Sequence, residues 1–294
     1  MCCFARVGSF VENIFMEKIL LAIDSSNMNM NALEFACYLA KLTKSKITAV
    51  FLENLVFGEK PVMKQIHGMA YTETIVESDL PDYPEKQKRI QDNIRFFKQA
   101  CENRGARWNI HRDKGVPTED LIKESRYADL LVVSAETSFA KKFERIPTKF
   151  VKNILENAEC PVVISPESFD AADEIVFAFD GSRSSMIALR QFTYLFPEYR
   201  NKKATVLEVS ESGSTKVEEK DKVTEWLNAH YTNTEFVILP GEAKDEIFSY
   251  LLNKKNIFLV MGSYGRSMLS NLFKPSSAKR VMRVLSLPVF IAHY

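Results

Sequence analysis

Gly262, Gly265 and Ser276 are the residues of this chain best spaced to hold a phosphate. The two glycines follow the apolar run from Ile257 to Met261 directly. A parallel strand buried on both faces reads as such a run. Ser276 precedes a stretch in which Ala278, Val281, Met282 and Leu285 share one helical face, which makes it a plausible N-cap. Glycine lets the backbone turn sharply and come close to a ligand. A strand, a glycine loop and a helix N-terminus together form the phosphate cradle common in α/β proteins. Two glycines after a strand also serve in plain turns, so the spacing alone leaves both uses open.

Other chemistries find little support. The four histidines, His67, His111, His230 and His293, are isolated and lack metal-ligand spacing, so no metal site is expected. There is no Gly-x4-Gly-Lys-Ser/Thr loop and no Gly-x-Ser-x-Gly elbow, and no catalytic residue is expected. Arg183 and Arg266 could support a phosphate, although lone loop arginines are more often simply solvated. Thirty-nine basic residues nearly cancel 38 acidic ones, so no strong field favours nucleic acid or an acidic membrane. The five cysteines, Cys2, Cys3, Cys37, Cys101 and Cys160, form no CxxC and read as buried free thiols in a reducing cytosol. No run approaches the roughly 18 apolar residues that span a bilayer. Residues 1–16 lack a clustered basic start and an unbroken apolar core, so they read as an extension rather than a signal peptide, with Met16 the expected natural start.

The elements that must position the cradle recur twice. Ile19 to Ile23 is a buried strand ending in Asp24-Ser25-Ser26, and Leu33, Ala36, Cys37 and Ala40 mark a helix face after it. Ile47 to Leu52 is a second strand. Glu53 to Pro84, with three prolines and little periodicity, reads as an excursion, part of it helical, that offers a lid or partner surface. Ile90, Ile94, Phe97 and Cys101 stripe an amphipathic helix. A third strand is expected near Arg107 to His111, a fourth from Leu130 to Val133 and a fifth from Pro161 to Ile164. Pro166 to Asp173 is the expected linker. After it the order restarts, with Ile175 to Phe179 ending in Asp180-Gly181-Ser182, then Ala204 to Val209, Phe236 to Leu239, and Pro288 to Ile291. At 294 residues and 46% apolar composition the chain can bury two cores. The expected division is an extension over 1–16, one α/β unit over 17–165, the linker over 166–173 and a second unit over 174–294. Each unit should be a right-handed doubly wound parallel sheet of five strands.

The segment Gly262-x2-Gly265-x9-Pro275-Ser276 resembles the C-terminal Gly-x2-Gly-x9-Gly-Ser/Thr signature of the universal stress protein family, with Pro275 in place of the third glycine. Proline has no N–H to offer a phosphate. The resemblance covers residues 17 to 294 as two tandem copies. It implies strand order 3-2-1-4-5, the adenine nucleotide alpha hydrolase-like fold, and a cytoplasmic location. It further implies an adenine nucleotide, ATP with Mg, between the first and fourth strands of the second unit. There Asp180 would stand near adenine or ribose, Val209 at the base, and Met261, Gly262, Tyr264 and Gly265 around the ribose and phosphates. Ser276 and Ser277 would donate to phosphate oxygens.

Each assignment has a plainer alternative. Asp180 can cap the following turn, Val209 and Met261 can be ordinary core, and Tyr264 can face solvent or stack. In the first unit Ser134 and Thr137 replace the two glycines, while Asp24, Leu52 and Thr148 remain as counterparts of Asp180, Val209 and Ser276. That copy is expected to bind nucleotide poorly. In the family, single-unit members dimerise through the last strand, so the halves here should pair internally as a pseudo-dimer, with a homodimer also open. Three functions follow: a stress-response regulator that binds adenine nucleotide, a nucleotide-free interaction scaffold, and, least favoured, a slow ATPase.

Overall fold

The computed structural model describes residues 16–54, 60–66, 69–75, 81–140, 142–210, 217–252, 254–262 and 286–292. The apolar runs become the strands that build one ten-stranded sheet. In chain order these are β1 (Lys18–Asp24), β2 (Lys46–Asn54), β5 (Arg107–Gly115), β6 (Leu130–Ser134), β7 (Val162–Ser165), β8 (Glu174–Phe179), β9 (Lys203–Ser210), β10 (Asn233–Pro240), β11 (Ile257–Gly262) and β12 (Val289–Ala292). The order across the sheet is β10-β9-β8-β11-β12-β7-β6-β1-β2-β5. Counted within each half, both sides read 3-2-1-4-5, as expected.

Pairing is parallel inside each half and antiparallel at the join, where Phe290 lies opposite Val163 and Val289 opposite Ile164. Antiparallel pairing of two equivalent strands is what a local twofold generates. It also removes two sheet edges that would otherwise present unpaired N–H and C=O groups. Pro161 and Pro288 precede these strands, where a missing donor costs least.

Seven helices are described: α1 (Met30–Thr43), α2 (Tyr83–Asn103), α3 (Pro117–Ser125), α4 (Lys149–Asn157), α5 (Arg183–Leu195), α6 (Val217–His230) and α7 (Ala243–Leu252). Side chains alternate across a strand, so Ile19, Leu21 and Ile23 of β1 enter one core while Leu20 and Ala22 enter the other. The first core lies under α1, α2, α5 and α6, and the second under α3, α4 and α7. Both cores run through the join: Val163 and Phe290 belong to one, Val162 and Ile291 to the other.

Aromatic side chains reinforce the join on the α1 side. Phe35 of α1 meets Phe258 of β11 at 6.2 Å and Phe169 edge-on at 5.1 Å. The hydroxyls of Tyr38 and Tyr199 are 3.3 Å apart. Phe169 comes from the stretch 166–173, which contains neither helix nor strand.

The excursion after β2 departs from its sequence reading. Its described parts are two strands, β3 (Lys60–Ile66) and β4 (Met69–Ile75), paired antiparallel as a separate hairpin from Lys60 opposite Ile75 to Ile66 opposite Met69. No helix occurs between β2 and Pro81 among the described residues. Pro61 sits near the start of a hairpin strand, a place where a lost ladder bond is tolerated.

Candidate functional site

The strand order reverses between β8 and β11, which leaves a crevice at their carboxyl ends. Asp180 follows β8 directly. Its Oδ1 accepts a hydrogen bond from the Ser182 N–H at 3.0 Å, so it does cap the turn, and its second oxygen takes no part in that bond. The turn passes through Gly181 at φ 75°, a left-handed conformation that favours glycine. Ser182 then caps α5 by accepting from the Ser185 N–H at 3.1 Å. Val209, near the end of β9, is half-buried, and Met261 is buried at 1% exposure in the core shared with α7. Tyr264, Gly265, Pro275, Ser276 and Ser277 lie outside the described residues, as do Arg266 and residues 1–15.

Gly262 has a use that the sequence did not reveal. A Cβ built on it would stand 2.5 Å from the Ser184 carbonyl carbon and 2.6 Å from the Ser185 nitrogen. The first turn of α5 therefore lies directly on the end of β11. Close approach is indeed what this glycine permits, but the partner is the protein's own backbone.

The first half places its counterparts differently. Asp24 repeats the turn cap, accepting from the Ser26 N–H at 2.9 Å. Burial raises its pKa above the ordinary 3.8, against the opposing hydrogen bonds from the Ser26 and Asn27 backbone and the charge of Lys86. Leu52 is fully buried. Ser134, in the place of Gly262, carries its side chain into the space beside α1, where its Oγ accepts from Asn29 Nδ2 at 3.1 Å. Asn29 is the N-cap of α1 and also accepts from the Ala32 N–H at 2.9 Å.

The described part of the loop after β6 then bonds to the start of α4. The Thr148 hydroxyl donates to the Thr137 carbonyl and accepts from the Val151 N–H, while the Thr148 N–H reaches the Ala135 carbonyl. Phe139 packs edge-on against Phe150 at 4.9 Å, and its carbonyl accepts from Asn54 at 3.5 Å. Thr148 is left 2% exposed. The N-terminus of α4 is thus capped by protein groups. Asn29 and Phe139 were missed in the sequence. An asparagine just before an apolar helix face was a legible signal for the first, whereas nothing local announced the second.

A cavity of about 670 Å³ opens between α5 and α6 beside the end of β8, lined among others by Phe179, Gly181, Ser182, Arg183, Met186 and Trp226. It adjoins the predicted site but includes neither Asp180, Val209 nor Gly262. Among the described residues no cluster of three or more His, Cys, Asp or Glu is placed to hold a metal ion. His111 bonds Glu124 at 3.1 Å, and His230 stacks on Trp226 at 3.9 Å. No described helix is long and apolar enough to cross a membrane.

Two doubly wound five-strand halves, joined through their last strands, the second reversing beside the Asp180-Gly181-Ser182 turn, have the adenine nucleotide alpha hydrolase-like fold. Solved structures of this class are similar along nearly the whole chain. A universal stress protein from Archaeoglobus fulgidus DSM 4304 superposes with a TM-score of 0.65 at 20% identity, over 94% of this chain and 98% of that one. A functionally unknown protein from Pseudomonas aeruginosa PAO1 gives 0.55 at 13% identity, over 95% and 92%. At such identities the likeness is one of fold. No protein-family model matches the chain, and no curated protein matches it.

Proposed function

We propose that this chain is a tandem universal stress protein whose second half binds an adenine nucleotide, ATP in the first instance, for regulation rather than turnover. The observation that carries the reading is the contrast at the two reversal points. In the first half the loop carbonyl of Thr137 and the hydroxyl of Thr148 are spent on each other and on capping α4, and Phe139 packs on Phe150 of that helix. In the second half Asp180 uses one carboxylate oxygen, Oδ1, for the turn cap and leaves the other out of that bond. Gly265, Ser276 and Ser277 would complete the site around the phosphates, with Mg neutralising them. The reading rests on fold and on the motif, and the nucleotide itself is the inference.

Isothermal titration with ATP tests it. Asp180→Asn keeps the acceptor for Ser182 and removes the charge, so the fold should persist while affinity falls by roughly tenfold, the worth of one hydrogen bond to a ribose hydroxyl or adenine amine. Wild-type protein that takes up no adenine nucleotide would overturn the reading.

Pro275 favours a second reading, a nucleotide-free scaffold, because proline removes one N–H from the loop where the signature has glycine. Pro275→Gly separates the two. If the missing donor weakens a real cradle, the variant should bind ATP more tightly by ~1.5–3 kcal/mol. Equal or weaker binding would mean the phosphates do not rest on this loop.

A further inference from the structure

The Sγ atoms of Cys37 on α1 and Cys101 on α2 lie 4.0 Å apart, although the two residues are far separated in the chain. Both thiols are free, and their residues are 2% and 0% exposed. A disulfide holds its sulfurs at about 2.0 Å, so closing this gap asks for only a small approach of two helices already in contact. We propose that Cys37 and Cys101 are a redox modification site, converted by a hydroperoxide into a disulfide that locks α2 to α1.

The second half shows that this helix contact is made there by other chemistry. Thr193 stands at the same remove from Asp180 as Cys37 from Asp24. Its hydroxyl lies 3.0 Å from that of Tyr231, just past the end of α6. A hydroxyl pair holds one helix junction without regard to oxidants, and a thiol pair holds the other. The third described cysteine, Cys160, is buried with its pKa pushed up to about 12, chiefly by burial, and serves as an internal control.

The steps balance. The Cys37 thiolate attacks the distal oxygen of the hydroperoxide, the O–O bond breaks, and the leaving oxygen departs with the electron pair and takes up a proton. Cys37 is then a sulfenic acid. Cys101 attacks that sulfur, and the hydroxyl leaves as water with the Cys101 proton. Two thiols lose two electrons and two protons, and the hydroperoxide is reduced to water and an alcohol, or to two waters when it is hydrogen peroxide. Either sulfur can donate across the 4.0 Å contact, and the charge of Arg104 favours a thiolate at both. The hydrogen bond between them lowers the pKa of Cys37 and raises that of Cys101, so Cys37 acts as the attacking thiolate. Both residues are buried, so the reaction waits on a local opening of α2 and should be slow. The bond would close a loop that holds the β3–β4 hairpin, and cross-links around long loops restrict the unfolded chain most.

The experiment treats the full chain with hydrogen peroxide under native conditions, alkylates any remaining thiols after unfolding, and maps the peptides. The expected product is a Cys37–Cys101 linked peptide about 2 Da lighter than the sum of its parts. Cys160 should be alkylated in the same sample. The melting midpoint of the oxidised protein should rise by ~5 °C or more and return on reduction with dithiothreitol. Cys101→Ala should instead leave Cys37 as a sulfenic acid that dimedone captures. The wild-type map decides the matter even if that variant does not fold. Recovery of Cys37 and Cys101 as alkylated thiols, or of either linked to Cys2, Cys3, Cys160 or another chain, overturns the proposal.

Discussion

The two halves of the sheet have the same strand order but use opposite solutions where the first and fourth strands end. At the end of β6 stands Ser134, whose side chain is hydrogen-bonded to Asn29. At the end of β11 stands Gly262, with no side chain, and the backbone of Ser184 and Ser185 occupies the space. The helix after β1 begins at Met30, later relative to Asp24 than α5 begins relative to Asp180, since α5 starts at Arg183. A serine fits where the first helical turn has unwound; only glycine fits where the helix starts early. The difference teaches that a missing Cβ at a nucleotide-type loop is not in itself a sign of a ligand. At Gly262 packing alone demands it.

The comparison presumes that both halves form one folding unit, and the largest effect should come from breaking their join. Val163 and Phe290 are fully buried and directly opposite each other. Val163→Asp places an unpaired charge in the core that both halves share under α1 and α5 and should cost ~3–5 kcal/mol. Calorimetry should show one cooperative transition shifted as a whole. A first half that melts separately while the second keeps the wild-type midpoint would break the idea of a common unit.

A smaller effect sharpens the contrast itself. Gly262→Ala drives a methyl into the α5 backbone and should destabilise by ~1–3 kcal/mol, even without nucleotide. Ser134→Ala removes the hydrogen bonds its Oγ accepts from Asn29 and from the Glu136 N–H and should cost about 1 kcal/mol. Urea unfolding of both variants checks the order, and an equal loss from the two would mean that β11 and α5 yield more readily than their spacing indicates.

The smallest expected effect concerns pH. Burial raises the pKa of Asp24, so the folded chain binds that proton more tightly than the unfolded chain does. The resulting stabilisation is complete below the ordinary value of 3.8 and is lost as pH rises through the raised one. Asp24→Asn keeps the acceptor for the Ser26 N–H and carries no charge to bury. The variant should therefore be slightly more stable than wild type at neutral pH, with the gap closing as pH falls to 3.8, as followed by urea midpoints across that range. A variant less stable at pH 7 would show that the charge of Asp24 has a favourable partner, Lys86 being a candidate whose charge already acts on it.

Much of the fold was legible because burial on both faces leaves unbroken apolar runs. Leu130 to Val133, Ile175 to Phe179 and Ile257 to Met261 all sit inside central strands. The strand order came from the family resemblance, and the last strands Val162–Ser165 and Val289–Ala292 meet as their apolar edges required. The β3–β4 hairpin was not legible, since it stands apart from the main sheet and no core imposes a period on it. In the site, Asp180 was read both as a nucleotide contact and as a turn cap, and the capping role is visible in its turn bond; that Asp24 makes the same cap was not read. The reason for Gly262 was hidden because it depends on a helix start far away in sequence. The packing of Phe139 on Phe150 was hidden likewise, because a single aromatic in a loop does not name its partner.

The central claim is that one half retains a nucleotide site and the other has closed it. Native mass spectrometry of the full chain in excess ATP tests this most directly. The account predicts one adenine nucleotide per chain, lost in Gly265→Val and unchanged in Ser134→Val. Two nucleotides per chain, or equal losses from both substitutions, would contradict it.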